Sequence, residues 1–139
     1  MREVLEAALA TENLTVHVSA DGKDAIQKTL AVKPDLILLD VNMPNLNGLT
    51  FCKAIRAGTD TKNIPVIIIT GLTAPGRIEQ CMAAGADDFL GKPFGVTELL
   101  IRVRAMLKTS HIADHGERIQ QYLLTTREMR KRVAGDAKS

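Results

Sequence analysis

Two short runs of purely apolar residues constrain the fold of this 139-residue chain more than any other feature. Residues 36–39 read LILL and residues 66–69 read VIII. Four residues are far too few to span a bilayer, and the runs lack the polar alternation of a strand that has one face in water. They therefore predict two strands that are covered on both faces.

Helical patterns and two further strands surround these runs. Apolar residues recur at helical spacing over residues 1–12, 23–32, 49–56 and 96–107, and a helix is also expected from Pro75 to a stop at Gly85. Residues 14–18 and 86–90 read as two shorter strands. Strands and helices that alternate with short connections predict an α/β fold, with a parallel sheet, right-handed crossovers and helices on both faces.

Composition excludes several classes of protein. Hydrophobic residues make up 45% and charged residues 24%, as is usual for a globular chain. Aromatic residues are only 3% and Trp is absent, so stacking on bases has little support. The net charge of +2 arises entirely in residues 109–139, and it is too small to predict a DNA-binding patch. We expect no nucleic-acid partner and no membrane association.

The cysteines and the start of the chain bear on location. Cys52 and Cys81 lack metal-ligand spacing and lie in helical patterns among apolar neighbours. We interpret them as buried thiols in a reducing cytoplasm rather than as a disulfide pair. No basic and then apolar leader opens the sequence, so export is not expected.

The segment 109–139 differs from the region 1–108 that precedes it. A set of mostly apolar residues recurs every seven positions and again three positions later, as in a coiled-coil seam; its members are Ile112, His115, Ile119, Tyr122, Thr126, Met129 and Val133. One interpretation is an amphipathic helix folded back on the domain. The other, which the charged outer face favours, is a helix that projects into a dimeric coiled coil.

Three polar residues stand at or just after predicted strand ends. They are Asp40, Thr70 and Lys92, and they come from three consecutive strands. Ligands of open parallel sheets bind beyond the carboxyl ends of the strands. A carboxylate, a hydroxyl and an ammonium group suit a phosphoryl group, which the carboxylate attacks and the other two stabilise. Taken singly, each residue has an ordinary alternative as a turn, a strand end or a solvated lysine.

Longer segments carry a resemblance to a known family. The stretch DLILLDVNMP over residues 35–44 resembles the phosphoacceptor segment of bacterial two-component response regulator receiver domains. VIIITG over 66–71 resembles their switch-threonine strand, and GADDFLGKPF over 85–94 resembles their lysine-proline segment. The similarity runs in order through residues 1–108. It implies a doubly wound, flavodoxin-like receiver fold with strand order 2-1-3-4-5.

The resemblance also implies roles for individual residues. Asp40 would be the phosphoacceptor and would bind Mg²⁺ together with the backbone carbonyl of Asn42. Thr70 would bind the phosphoryl group and Lys92 would pair with it. Phe89 would be the aromatic residue that changes rotamer with Thr70, although core packing is its alternative role.

One part of the family pattern is absent from these 139 residues. Receiver domains begin with a central strand that ends in two acidic residues, and these acids hold Mg²⁺ with the phosphoacceptor. Here residues 1–5 match the family's first helix, so the strand and the acids have no counterpart. The absent strand would leave a gap in the sheet, for which we consider three explanations. The strands on either side pair directly, another segment or a second chain fills the gap, or the chain is truncated, which we favour. With so few ligands, Mg²⁺ binding should be weak or lost and phosphotransfer slow or absent.

These features lead to three functional hypotheses. The first is a cytoplasmic receiver domain that a sensor histidine kinase phosphorylates on Asp40, with a homodimer through the C-terminal helix or an output domain as its effector. The second is a phosphorylation-independent interaction or dimerisation module. The third, an aspartyl-phosphate phosphohydrolase, is disfavoured because Asn42 stands where such an enzyme needs a general acid. We therefore do not expect an enzyme.

Overall fold

A three-stranded parallel sheet lies at the centre of the part of the chain that the structure describes. The structure is a computed structural model, and it describes residues 9, 22–40, 48–70, 77–91 and 95–138. The strands are β1 (Ile37–Asp40), β2 (Val66–Thr70) and β3 (Asp88–Gly91), in the order β1-β2-β3. Three of the four predicted strands are thus confirmed. The fourth, over 14–18, and nearly all of the predicted helix over 1–12 lie outside the described residues.

Five helices connect and flank these strands among the described residues, and they agree with the predicted helices to within a few residues. They are α1 (Gly22–Val32), α2 (Gly48–Ala57), α3 (Arg77–Ala83), α4 (Val96–Thr109) and α5 (His115–Lys138). Helix α1 ends where Lys33 adopts a left-handed conformation, with φ of 54°, just before Pro34. This turn leads the chain directly into β1.

The apolar run of β2 is explained by helices on both faces of the sheet. Val66 and Ile68 belong to a buried cluster with residues of α2, among them Phe51 and Ile55. Ile69 packs with residues of α4 on the opposite face. Because successive side chains of a strand point to opposite faces, a strand covered on both faces must be apolar at every position.

The C-terminal helix α5 folds back along α4. Tyr122 is buried in a cluster with Ile67 of β2 and with Ala105 and Met106 of α4, so α5 contacts both α4 and the sheet. Thr126 is also buried, whereas Val133 at the end of the predicted seam is exposed. The favoured interpretation of a projecting coiled coil is therefore wrong for this structure, because the middle of the seam is already covered by the helix's own domain. No described helix is long and apolar enough to cross a membrane.

Candidate functional site

The ends of β1 and β2 bring two of the predicted site residues, Asp40 and Thr70, to one edge of the sheet. Asp40 is the last residue of β1 and Thr70 the last residue of β2. In the parallel register Asp40 lies beside Ile69, and Thr70 lies beside Gly91, the last residue of β3. Neighbouring strands are about 4.8 Å apart, so these backbone positions are adjacent. Lys92 follows β3 directly, but Lys92 and Asn42 themselves lie outside the described residues.

Phe89 lies in β3, two residues before the end of the strand. Its side chain is 39% exposed, so it is not an ordinary core residue. Its backbone carbonyl accepts a hydrogen bond from the Arg102 guanidinium of α4. The core-packing alternative for Phe89 is thus not supported, and its backbone is tied to the neighbouring helix.

The donor chemistry of this edge fits a magnesium ion, although the described residues supply few ligands. A carboxylate at Asp40 and a carbonyl at Asn42 are oxygen donors, the type that Mg²⁺ prefers. Among the described residues, no group of three His, Cys, Asp or Glu side chains could hold a metal ion. Asp40 and the Asn42 carbonyl remain the predicted magnesium ligands at this edge.

A second polar cluster, which the sequence analysis missed, forms around Asp87 just before β3. The Asp87 carboxylate accepts hydrogen bonds from Arg56 of α2 at 2.7 Å and from Arg118 of α5 at 3.1 Å. It also accepts the backbone N–H of Val66 at 2.8 Å. The side chain of Asp87 is fully buried and that of Arg118 is 3% exposed. This carboxylate therefore joins two helices to two strands inside the protein.

The contacts of Arg118 hold α5 against the rest of the domain. The sequence signal for Arg118 was its position four residues before Tyr122, which itself lies four residues before Thr126. Arg118 also donates to the backbone carbonyl of Asn63 at 3.0 Å. A heptad analysis treats position 118 as a solvated charge, because it is not part of the seam. In a single straight helix, residues four apart share a face, and that face is the one buried here.

A third polar group links α5 with β3 and α4. The Tyr122 hydroxyl donates to the carboxylate of Asp88, the first residue of β3, and Arg102 donates to the same oxygen at 3.1 Å. Burial, followed by the hydrogen bond to Asp88, raises the pKa of the Tyr122 hydroxyl far above its usual value. The hydroxyl therefore stays protonated as a donor at every physiological pH.

The contacts continue along α4 to the far part of α5. Arg102 donates to Glu98 at 3.0 Å, and Arg130 donates to both oxygens of the same carboxylate. The hydrogen bond from Arg130 holds the pKa of Glu98 below its usual 4.5, and burial opposes this shift only in part. Tyr122, Asp88, Arg102, Glu98 and Arg130 thus form one continuous chain of charged and polar contacts, which we call the α5 contact chain.

The structure describes the side chain of Cys52, and for Cys81 it describes only the backbone. Cys52 is a free thiol, buried in the cluster under α2. Cys81 lies in α3, and its side chain is outside the described part. The prediction of a buried thiol is confirmed for Cys52.

Comparison with known proteins identifies the relatives of this arrangement. The family model described as the response regulator receiver domain matches residues 1–104. The response regulator MprA of Mycobacterium ulcerans is 36% identical over 114 residues, which are 82% of this chain and 48% of that protein. The response regulator ArlR of Staphylococcus saprophyticus is 43% identical over 75% of this chain and 46% of that protein. The chain therefore spans about half the length of the curated relatives that it matches.

Solved structures agree in fold. The receiver domain of a sensor histidine kinase from Pseudomonas aeruginosa PAO1 superimposes with a TM-score of 0.71 and 32% identity. The match covers 77% of this chain and 88% of that one. That structure has a magnesium ion coordinated in its active site cleft. The parallel sheet with helices on both faces is thus a flavodoxin-like receiver fold.

Proposed function

The chain belongs to the response regulator receiver domain family of two-component systems, and we propose that it receives a phosphoryl group on Asp40 from a sensor histidine kinase in the cytoplasm. The observation that carries this proposal is the position of Asp40, at the end of β1, beside the end of β2 where Thr70 lies. Gly91, after which Lys92 follows, closes the same edge. In the proposed site, Asp40 supplies the nucleophile, and Thr70 and Lys92 supply the two groups that stabilise the phosphoryl group.

The reaction is a phosphoryl transfer between two side chains. A carboxylate oxygen of Asp40 attacks phosphorus, the N–P bond of the donor phosphohistidine breaks, and the imidazole leaves with the electron pair and takes up a proton. The product is an acyl phosphate on Asp40. The Thr70 hydroxyl donates to a phosphoryl oxygen, and the Lys92 ammonium group neutralises its charge. Asp40 and the Asn42 carbonyl would hold magnesium, which would supply further charge neutralisation.

We propose that this transfer is slow in the 139-residue chain. Mg²⁺ requires near-ideal octahedral coordination, and two protein ligands hold it weakly. The rate should therefore rise with magnesium concentration through the millimolar range without saturating. A module that signals without phosphorylation is the alternative, and the same experiment separates the two.

Intact-mass spectrometry with a small acyl phosphate donor tests the proposal. We expect one phosphoryl adduct that accumulates slowly, depends on Mg²⁺, and is absent from Asp40→Asn. Asp35→Asn is the matched control, because it removes an exposed carboxylate at the other end of the same strand region, and it should label normally. A folded chain without an adduct would support the phosphorylation-independent module, and rapid labelling at low Mg²⁺ would contradict the weak metal site.

For the output, we propose a homodimer through the outward face of α5. Leu123 is 59% exposed and Leu124 is 54% exposed, so this face carries apolar side chains that the chain's own domain does not cover. Sedimentation velocity of Leu124→Glu tests this proposal. We expect the wild-type chain to dimerise at high protein concentration and the variant to stay monomeric, whereas equal behaviour of the two proteins would contradict it.

A further inference from the structure

We propose that two copies of this chain pair through α5 in antiparallel orientation, with Leu124 of one copy against Leu124 of the other. The inference rests on the proposed homodimer and deepens it, because it assigns the direction of the two helices and the residues that face each other. The occupant of the outward face of α5 is thus a second copy of the chain. The observation that carries the inference is the distribution of charge along this face, and it does not depend on phosphorylation.

The outward face of α5 is defined by the buried residues on the other side of the helix. Tyr122 and Thr126 are buried against the chain's own domain. A helix advances by about 100° per residue, so Leu124, which is two residues from each of them, points about 200° away from both. Residues seven apart complete almost two full turns, and Glu117 and Lys131 therefore lie in line with Leu124. All three of these side chains are exposed.

Charge is unevenly distributed along this line. Glu117 stands at one end and Lys131 at the other, with Leu124 at the midpoint. The rise of about 1.5 Å per residue in a helix places the two charged positions about 21 Å apart. Both charged side chains are exposed to solvent, so a second copy can reach them.

These charges favour one orientation of two paired helices. In a parallel pair related by a two-fold axis each residue faces its own counterpart, so Glu117 would face Glu117 and Lys131 would face Lys131. In an antiparallel pair centred on Leu124, Glu117 of each copy faces Lys131 of the other, and the symmetry makes this attraction twice. Surface ion pairs are individually weak, so they set the orientation of the helices more than the affinity.

The remaining charges on the outward face are compatible with the antiparallel orientation. Arg127 and Glu128 mirror Gln121 and Gln120 across Leu124, and all four side chains are exposed. An antiparallel pair therefore places each of these charges opposite an amide, which offers an acceptor to a guanidinium and a donor to a carboxylate. A parallel pair would instead place like charges against each other at both positions.

Charge reversal at the two end positions tests the orientation by sedimentation equilibrium. We expect Glu117→Lys and Lys131→Glu each to raise the dimer dissociation constant by about tenfold, since two attractions become two repulsions. The variant with both changes exchanges the two charges and should return to the wild-type constant. Glu79→Lys of α3 and Lys53→Glu of α2 are the matched controls, because they make the same charge changes at exposed positions away from α5.

The outcomes separate the orientation from the homodimer itself. Wild-type affinity in both single variants would overturn the antiparallel orientation, because a parallel pair keeps like charges opposite each other in either variant. A wild-type chain that stays monomeric, or that sediments as Leu124→Glu does, would overturn the homodimer and this inference together.

Zero-length cross-linking with a carbodiimide provides a second measurement on the unaltered chain. The reagent joins a carboxylate to an amine only where the two are in contact. Because Glu117 and Lys131 are about 21 Å apart within one copy, a peptide in which they are linked must come from two copies. We expect this link at concentrations at which the chain dimerises, and we expect Leu124→Glu to lose it. Its absence from a chain that sediments as a dimer would overturn the orientation and leave the proposed homodimer in place.

Discussion

At the scale of single residues, Asp87 connects more of the structure than any other carboxylate among the described residues. Its carboxylate accepts hydrogen bonds from two guanidinium groups and one backbone N–H, and its side chain is fully buried. Arg56, one of these partners, also donates to the carbonyls of Ile64 and Gly85. The segments that precede β2 and β3 and the start of α5 are thus fixed by one charge cluster.

Asp87→Asn should lower the free energy of unfolding by about 3–5 kcal/mol, because it leaves two buried or half-buried guanidinium groups without a compensating charge. Urea denaturation monitored by circular dichroism measures this loss. The exposed Asp35→Asn should change stability by less than about 0.5 kcal/mol. A loss at Asp87 as small as that at Asp35 would show that the cluster contributes little.

At the scale of secondary-structure elements, the main feature is the pairing of α4 with α5. Its apolar part is the Tyr122 cluster, and its polar part is the α5 contact chain, in which the hydrogen bond from Arg130 lowers the pKa of Glu98. The pKa of Glu98 is lower in the folded protein than in an unfolded one. Its contribution is therefore fully present above the usual glutamate pKa of 4.5, and it is lost as the pH falls through the lower, folded value.

Acid should accordingly loosen the C-terminal half of α5 before the whole domain unfolds. The chain has one Tyr and no Trp, so tyrosine fluorescence reports Tyr122 alone. We expect this emission to change as the pH falls below 4.5, and we expect Glu98→Gln to remove that change. The stability involved should be below about 1 kcal/mol because Glu98 is partly exposed. A wild-type pH profile retained in Glu98→Gln would assign the change to another carboxyl group.

At the scale of the whole molecule, the parallel sheet and the placement of Asp40 and Thr70 followed from local sequence. Fully apolar runs between helical patterns identify strands covered on both faces, and the first polar residue after each run marks the carboxyl edge. The path of α5 did not follow, because a heptad pattern is satisfied equally by another chain or by the helix's own domain. The pairing of Arg118 with Asp87 attaches the helix to its own domain. These two residues are 31 positions apart, and no periodic pattern in the sequence relates them.

The most direct measurement of the central claim is chemical trapping of the phosphoryl group. Borohydride reduces an aspartyl acyl phosphate to homoserine, and peptide mass mapping then locates the modified residue. After treatment with an acyl phosphate donor and Mg²⁺, we expect homoserine at position 40 and at no other carboxylate. Homoserine at another position, or none in a chain shown to be folded, would contradict the assignment of Asp40 as the phosphoacceptor.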